Sequence, residues 1–172
     1  MIGKNALVTG STRGIGKATA EALAAEGCNV MLSGFGDAAE IEEERGRIAE
    51  TYGVTVAYNG ADLGEEDDCD ALMDAAVEAL GPIEILVNNA VIRYFHNIDE
   101  FPREKWKHAL AVNVTAPFIL TQKVLMGMRE RKWGRIINFS SVLGMAARAG
   151  RADYVVSKHA MLGLTRATAA EV

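Results

Sequence analysis

Short apolar runs alternate with longer helix-period segments from one end of this sequence to the other, and that alternation leaves few folds open. Asn5–Thr9 is an apolar run closed by Gly10. Gly14–Glu26 follows with Ile15, Ala18, Ala22 and Ala25 at helical spacing, and Gly27 stops it. Further strands are predicted at Asn29–Ser33, Val54–Tyr58, Ile83–Asn88 and Arg135–Ser140, and helices at Ala38–Tyr52, Glu65–Leu80, about Arg103–Arg131 and Ala152–Val172. Strands apolar on nearly every residue are covered on both faces, as in parallel sheets, and right-handed crossovers then make the sheet doubly wound. The expected fold is therefore α/β: a three-layer αβα Rossmann sandwich, with residues 1–172 forming one domain. Such a sheet binds ligands beyond the carboxyl ends of its strands, so functional residues are sought in the loops that follow them.

The first of those loops is Thr9-Gly10-Ser11-Thr12-Arg13-Gly14-Ile15-Gly16, between a strand and a helix. Glycine allows close backbone approach to a pyrophosphate, and a helix N-terminus offers free N–H groups and a positive dipole. The spacing is G-x-x-x-G-x-G, not the commoner G-x-G-x-x-G, and a tight turn with unrelated glycines is the competing reading. Near the other end, Tyr154 and Lys158 stand four residues apart at the start of a helix, on one face. A free phenol titrates near 10, and a neighbouring ammonium favours its ionised form, so the pair is a candidate for proton exchange. A surface pair is the competing reading, as is a plain turn serine for Ser141, beside which Ser140 is an alternative.

Several further motifs follow in order: Ala61-Asp62-Leu63, Asn88-Asn89-Ala90, Asn113, Ser141 and then Tyr154-x-x-x-Lys158. With Thr9 before the first glycine, they make the whole chain resemble the short-chain dehydrogenase/reductase family. The resemblance implies an NAD(P)-dependent enzyme that moves hydride between a nicotinamide and a secondary alcohol or ketone. It implies Asn113, Ser141, Tyr154 and Lys158 as catalytic: Tyr154 exchanges the proton, Lys158 also holds the ribose of the nicotinamide, Ser141 binds the reacting oxygen and Asn113 anchors a water. It places the dinucleotide on Gly10, Thr12, Arg13, Gly14, Ile15, Gly16, Phe35, Asp62, Leu63 and Asn89, with Tyr154 and Lys158. One position departs from the pattern: Val91 stands where the family has glycine after Asn-Asn-Ala, so the nicotinamide side is expected to be crowded.

The stretches Gly34–Glu42, Gly60–Leu63 and Glu100–Trp106 are similar to those of D-3-hydroxybutyrate dehydrogenases, which oxidise a small 3-hydroxy acid. Their polar carboxylate-binding positions correspond here to Arg93, Leu143 and Arg151. Two arginines can hold a carboxylate bidentately, so Arg93 and Arg151, with Ser141 and Tyr154, are the candidate substrate residues. Solvated loop arginines are the alternative. Reduction of 3-oxoacyl thioesters or oxidation of sugar alcohols are rival activities, and a nucleotide-binding regulatory module is the non-enzymatic one. NAD is favoured over NADP because the Gly34-Phe35-Gly36-Asp37 turn is that of NAD-dependent relatives, while Arg13 sits where NADP-dependent ones carry a basic residue.

A net charge of −5 argues against a general nucleic-acid binder. Cys28 and Cys69 fit neither a metal spacing nor a disulfide framework. No signal peptide or run of roughly 20 apolar residues is apparent, so a cytoplasmic protein that spans no membrane is expected. The resemblance further implies a homo-oligomer, dimer or tetramer. It also implies that family members continue past the Tyr154 helix into a substrate lid and two more strands, so the sequence is expected to be C-terminally incomplete.

Overall fold

The computed structural model describes residues 1–172 as a five-stranded parallel sheet flanked by helices on both faces. The strands are β1 (Asn5–Val8), β2 (Asn29–Ser33), β3 (Val56–Asn59), β4 (Ile85–Asn88) and β5 (Arg135–Asn138), in the order β3-β2-β1-β4-β5. The helices are α1 (Gly14–Ala25), α2 (Ala38–Tyr52), α3 (Glu66–Leu80), α4 (Arg103–Leu110), α5 (Ala116–Arg131) and α6 (Ala152–Glu171). The order reverses between β1 and β4, which opens a crevice above their carboxyl ends.

Side chains alternate across a strand, and that period sorts β1 between two cores. Leu7 joins Met31, Leu72, Leu86 and Leu120 under α3 and α5. Ala6 and Val8 point the other way, to Leu23, Val30, Ile48, Ile85 and Val87 under α1 and α2. Both clusters are nearly closed to solvent, as the continuous apolar strands require.

Four expectations are corrected. The third strand runs from Val56 to Asn59, the fourth begins at Ile85 and the fifth ends at Asn138. Beyond it the Phe139 amide donates to the Asn88 carbonyl, the Phe139 carbonyl accepts from Lys158 Nζ and the Ser140 hydroxyl donates to the Lys158 carbonyl. The single helix expected over 103–131 is interrupted by a π-turn at Ala111–Thr115, where the Ala116 amide donates to the Ala111 carbonyl. The same 29-residue run holds a window of mean hydropathy 1.4, long and apolar enough by composition to cross a membrane. Leu120, Val124 and Met128 bury one face of it in the core, which accounts for the apolar character. β5 lies at an edge of the sheet, with Ile137 exposed.

Candidate active site

The crevice between the β1 and β4 loops is a cleft of about 790 Å³, within the usual range for a cofactor site. Its floor is the glycine loop. Gly10 adopts φ +64°, and a Cβ there would meet the Ala90 Cα at 2.9 Å. Gly14 adopts φ +57° with open space where a side chain would project. Gly16 is buried, and a Cβ on it would overlap the Gly10 carbonyl oxygen and the Asn89 amide. The α1 helix starts here with no side-chain cap and no acid in its first turn. By contrast α2 is capped by Asp37, whose Oδ1 accepts from the Ala39 and Glu40 amides. Uncapped amides and an unopposed dipole facing a glycine-lined cleft suit an anion such as a pyrophosphate. That cradle fits the dinucleotide expected from the sequence.

Side chains fix the loop's shape. Asn89 Nδ2 donates to the Thr9 carbonyl at 2.8 Å and the Gly10 carbonyl at 3.1 Å. Thr9 Oγ1 accepts from the Asn89 and Ala90 amides. Asn89 is therefore a clamp on the glycine loop as well as part of the cleft wall. Thr12 lines the cleft while its hydroxyl donates to the Phe35 carbonyl at 2.8 Å. Arg13, Ile15 and Phe35 stand exposed on the rim, which rules out a core position for Phe35. Asp62 is exposed at the far wall and its carboxylate accepts from the Gly64 amide at 2.9 Å. Leu63 beside it is only 8% exposed and belongs chiefly to the core. Val91 is 44% exposed and lines the cleft, so the departure from glycine puts a side chain on its wall.

Of the sequence-predicted catalytic residues, Asn113, Tyr154 and Lys158 are linked by hydrogen bonds to one another's turns and to the segments after β4 and β5. Ser141 follows Ser140 beyond β5, and none of the four is among the residues lining the cleft. Lys158 is buried, and its Nζ donates to the Phe139 carbonyl at 2.7 Å, 5.6 Å from the centre of the Tyr154 ring. Ser140 is tied down: its hydroxyl donates to the Lys158 carbonyl at 2.8 Å. Ser141 Oγ accepts from the Leu143 amide at 3.2 Å, capping the short turn Val142–Gly144. Asn113, in the π-turn, accepts from the Ile92 amide and donates to the Ile92 carbonyl, both at 2.8 Å. Its Nδ2 also lies 3.3 Å from Ser157 Oγ, which donates to the Tyr154 carbonyl. Ser157 thus joins the π-turn to the Tyr154 turn; nothing in the linear spacing had singled it out. Of the candidate substrate residues, Arg93 is exposed at the cleft, and the Arg151 guanidinium lies 3.6 Å over the Phe95 ring.

Burial pushes the Lys158 ammonium down to about 8. The unfolded chain binds that proton up to roughly 10.4. Between the two values the unfolded state holds more protons, so stability rises with pH there and the penalty is greatest below about 8. Relative to Lys158→Met, the unmodified protein should gain roughly 3 kcal/mol between pH 7 and 11, read by urea unfolding. A difference that stays flat with pH would show the ammonium to be solvated in the native state.

The short chain dehydrogenase family model matches residues 4–172. The chain belongs to the short-chain dehydrogenase family. A D-beta-hydroxybutyrate dehydrogenase of Cupriavidus necator is 43% identical over 169 residues, covering 98% of this chain and 65% of that protein. A 3-oxoacyl-[acyl-carrier-protein] reductase of Aquifex aeolicus is 37% identical over 171 residues, covering 99% of this chain and 68% of that one. The chain thus spans about two thirds of the length of these short-chain dehydrogenase relatives. A crystal structure of a metagenomic short-chain oxidoreductase in complex with NADP superposes with a TM-score of 0.91 at 32% identity, over 99% of this chain and 77% of that one. Strand order and the crevice at the β1–β4 switch are therefore those of a short-chain dehydrogenase.

Proposed function

We propose that the protein is a nicotinamide-dinucleotide-dependent oxidoreductase acting on a secondary alcohol or its ketone, with a small 3-hydroxy acid such as 3-hydroxybutyrate as its substrate class. Residues 1–172 are read as its dinucleotide-binding and catalytic domain. The observation that carries the reading is the buried Lys158 ammonium beside the Tyr154 ring, on a helix turn adjoining a cleft floored by uncapped amides. A binding module needs the cleft alone; a buried cation next to a phenol is costly to stability, and such costly groups cluster where chemistry uses them.

The dinucleotide supplies the hydride acceptor or donor when bound. Gly10, Gly14 and Gly16 with the first amides of α1 would hold its pyrophosphate, and Asp62 and Phe35 its adenosine end. Tyr154 would exchange a proton with the substrate oxygen, Ser141 would hydrogen-bond that oxygen, and Lys158 would hold ribose hydroxyls and favour the phenolate. Asn113 is read as positioning the β4 loop around a water of the proton path. For cofactor choice, NAD comes first on the Gly34–Asp37 turn. NADP is the alternative: Asp37 is engaged in capping α2, and the exposed Arg13 forms no ion pair. Turnover with each dinucleotide at equal concentration decides between them.

The similarity to hydroxybutyrate dehydrogenases, with Arg93 at the cleft and Arg151 packed on Phe95 of the same loop, supports an acidic substrate. Either arginine replaced by Met should raise KM for 3-hydroxybutyrate by about tenfold or more, the worth of one charge-assisted contact. A neutral alcohol of like size should be little affected. Equal effects on both would remove the carboxylate assignment. The Aquifex relative keeps a 3-oxoacyl thioester as the second substrate to assay. We further read the protein as a cytoplasmic homo-oligomer, dimer or tetramer; exposed Phe118 and Met126 on α5 and Val156 on α6 are the apolar surface such assembly would cover.

A further inference from the structure

Asp153 precedes Tyr154 in the first turn of α6 and is completely buried. A helix N-terminus favours an acid, but a carboxylate withdrawn from water is retained only where it is hydrogen-bonded. Oδ2 of Asp153 accepts from the Tyr94 amide at 2.8 Å, and Oδ1 has no partner. Tyr94 is held at its other end as well, its hydroxyl meeting His108 Nδ1 on α4 at 2.8 Å.

The segment that Asp153 grips has almost no regular structure, running from Ala90 to Phe95 between the end of β4 and a lone bridge at His96. Its backbone is pinned by two side chains. Asn113 takes both the amide and the carbonyl of Ile92, and Asp153 takes the amide of Tyr94. Arg93 lies between those two anchors. The next residue, Phe95, carries the Arg151 guanidinium on its ring, and His96 pairs with the backbone of Arg151. One buried carboxylate therefore joins the turn bearing Tyr154, with Arg151 just before it, to the loop that bears Arg93 and carries the Arg151 guanidinium on Phe95.

We propose that Asp153 is a positioning residue: by holding the Tyr94 amide it fixes Arg93 and Arg151 at a set distance from the Tyr154 hydroxyl. Part of this rests on the reading that those arginines take the substrate carboxylate; the tie itself does not. A loop released at one of two anchors moves its side chains by about an ångström or more, enough to spoil substrate placement.

The test compares Asp153→Asn, which keeps an oxygen for the Tyr94 amide, with Asp153→Leu, which fills the same buried space without an acceptor. Asp153→Ala is avoided because an emptied site destabilises the helix start. Hydrogen exchange of the peptide spanning residues 91–97, measured without substrate, reads the tie directly. It should quicken by roughly tenfold or more in the Leu variant and stay near that of the unmodified protein in the Asn variant. With 3-hydroxybutyrate, the Leu variant should show KM raised about tenfold, kcat within about threefold and dinucleotide Kd unchanged, and the Asn variant should recover KM. Equal exchange in the two variants overturns the tie. Quickened exchange with KM unmoved, or with KM raised equally for a neutral secondary alcohol, overturns the role in placing the arginines. If the unmodified protein oxidises no hydroxy acid, the substrate reading fails, and the exchange comparison still decides whether Asp153 holds the loop.

Discussion

Replacing Tyr154 by Phe is expected to lower turnover by roughly 10² to 10⁴-fold while leaving dinucleotide affinity close to its starting value. The substitution removes one oxygen and keeps the ring beside Lys158, so the turn and its ties through Ser157, Ser140 and Phe139 are retained. The cleft floor is untouched, because Tyr154 is not among the residues that line it. Steady-state kinetics with 3-hydroxybutyrate and a dinucleotide titration by fluorescence give the two quantities separately. Turnover retained within threefold would end the assignment of Tyr154 as the proton-exchanging group. A loss of affinity as large as the loss of turnover would instead make it a structural residue.

Gly16→Ala is expected to be the most damaging single methyl in the cleft. The added carbon would overlap the Gly10 carbonyl oxygen and Asn89 Nδ2, the very groups that clamp the glycine loop to β4. Neither can retreat, since the loop is backbone and Asn89 is also bound to the Thr9 carbonyl. Overpacking of this kind costs about 1–3 kcal/mol, and the displaced loop should bind dinucleotide at least roughly tenfold more weakly. Gly14→Ala is the control. Its Cβ meets nothing within 4 Å, so only the strain of φ +57° remains, worth on the order of 1 kcal/mol. Thermal unfolding and dinucleotide titration of both variants check the order; a Gly16→Ala protein as stable and as tight as the parent would mean that the loop adapts freely.

The alternation of apolar strands with helix-period segments, the glycine loop and the Tyr154–Lys158 pair are all local patterns, legible because each depends on residues a few positions apart. They were sufficient for a doubly wound parallel sheet and for the family, and the element order agrees with them. Local pattern misplaced what depends on partners far along the chain. The helix over 103–131 reads as continuous, yet it opens into a π-turn where Asn113 reaches across to Ile92, 21 residues away. Asp37 reads as the end of the turn shared with NAD-dependent relatives, and nothing in its spacing shows that its carboxylate caps α2. Nor does local pattern show that Asn89, which lines the cleft, also ties the Thr9 and Gly10 carbonyls about 80 residues earlier.

Asp153 and Ser157 escaped notice altogether, flanking Tyr154 in a helix where neither stands out by spacing. Their meaning lies in partners 59 and 44 residues distant, Tyr94 and Asn113. Periodicity follows from covalent geometry, and it can be read wherever the chain is regular. Which irregular loop lies against which helix turn is set by the crossovers of the sheet, and so by the burial of two whole cores. The sequence alone therefore determined the elements and the chemical pair, and the tertiary structure decided what holds that pair in place.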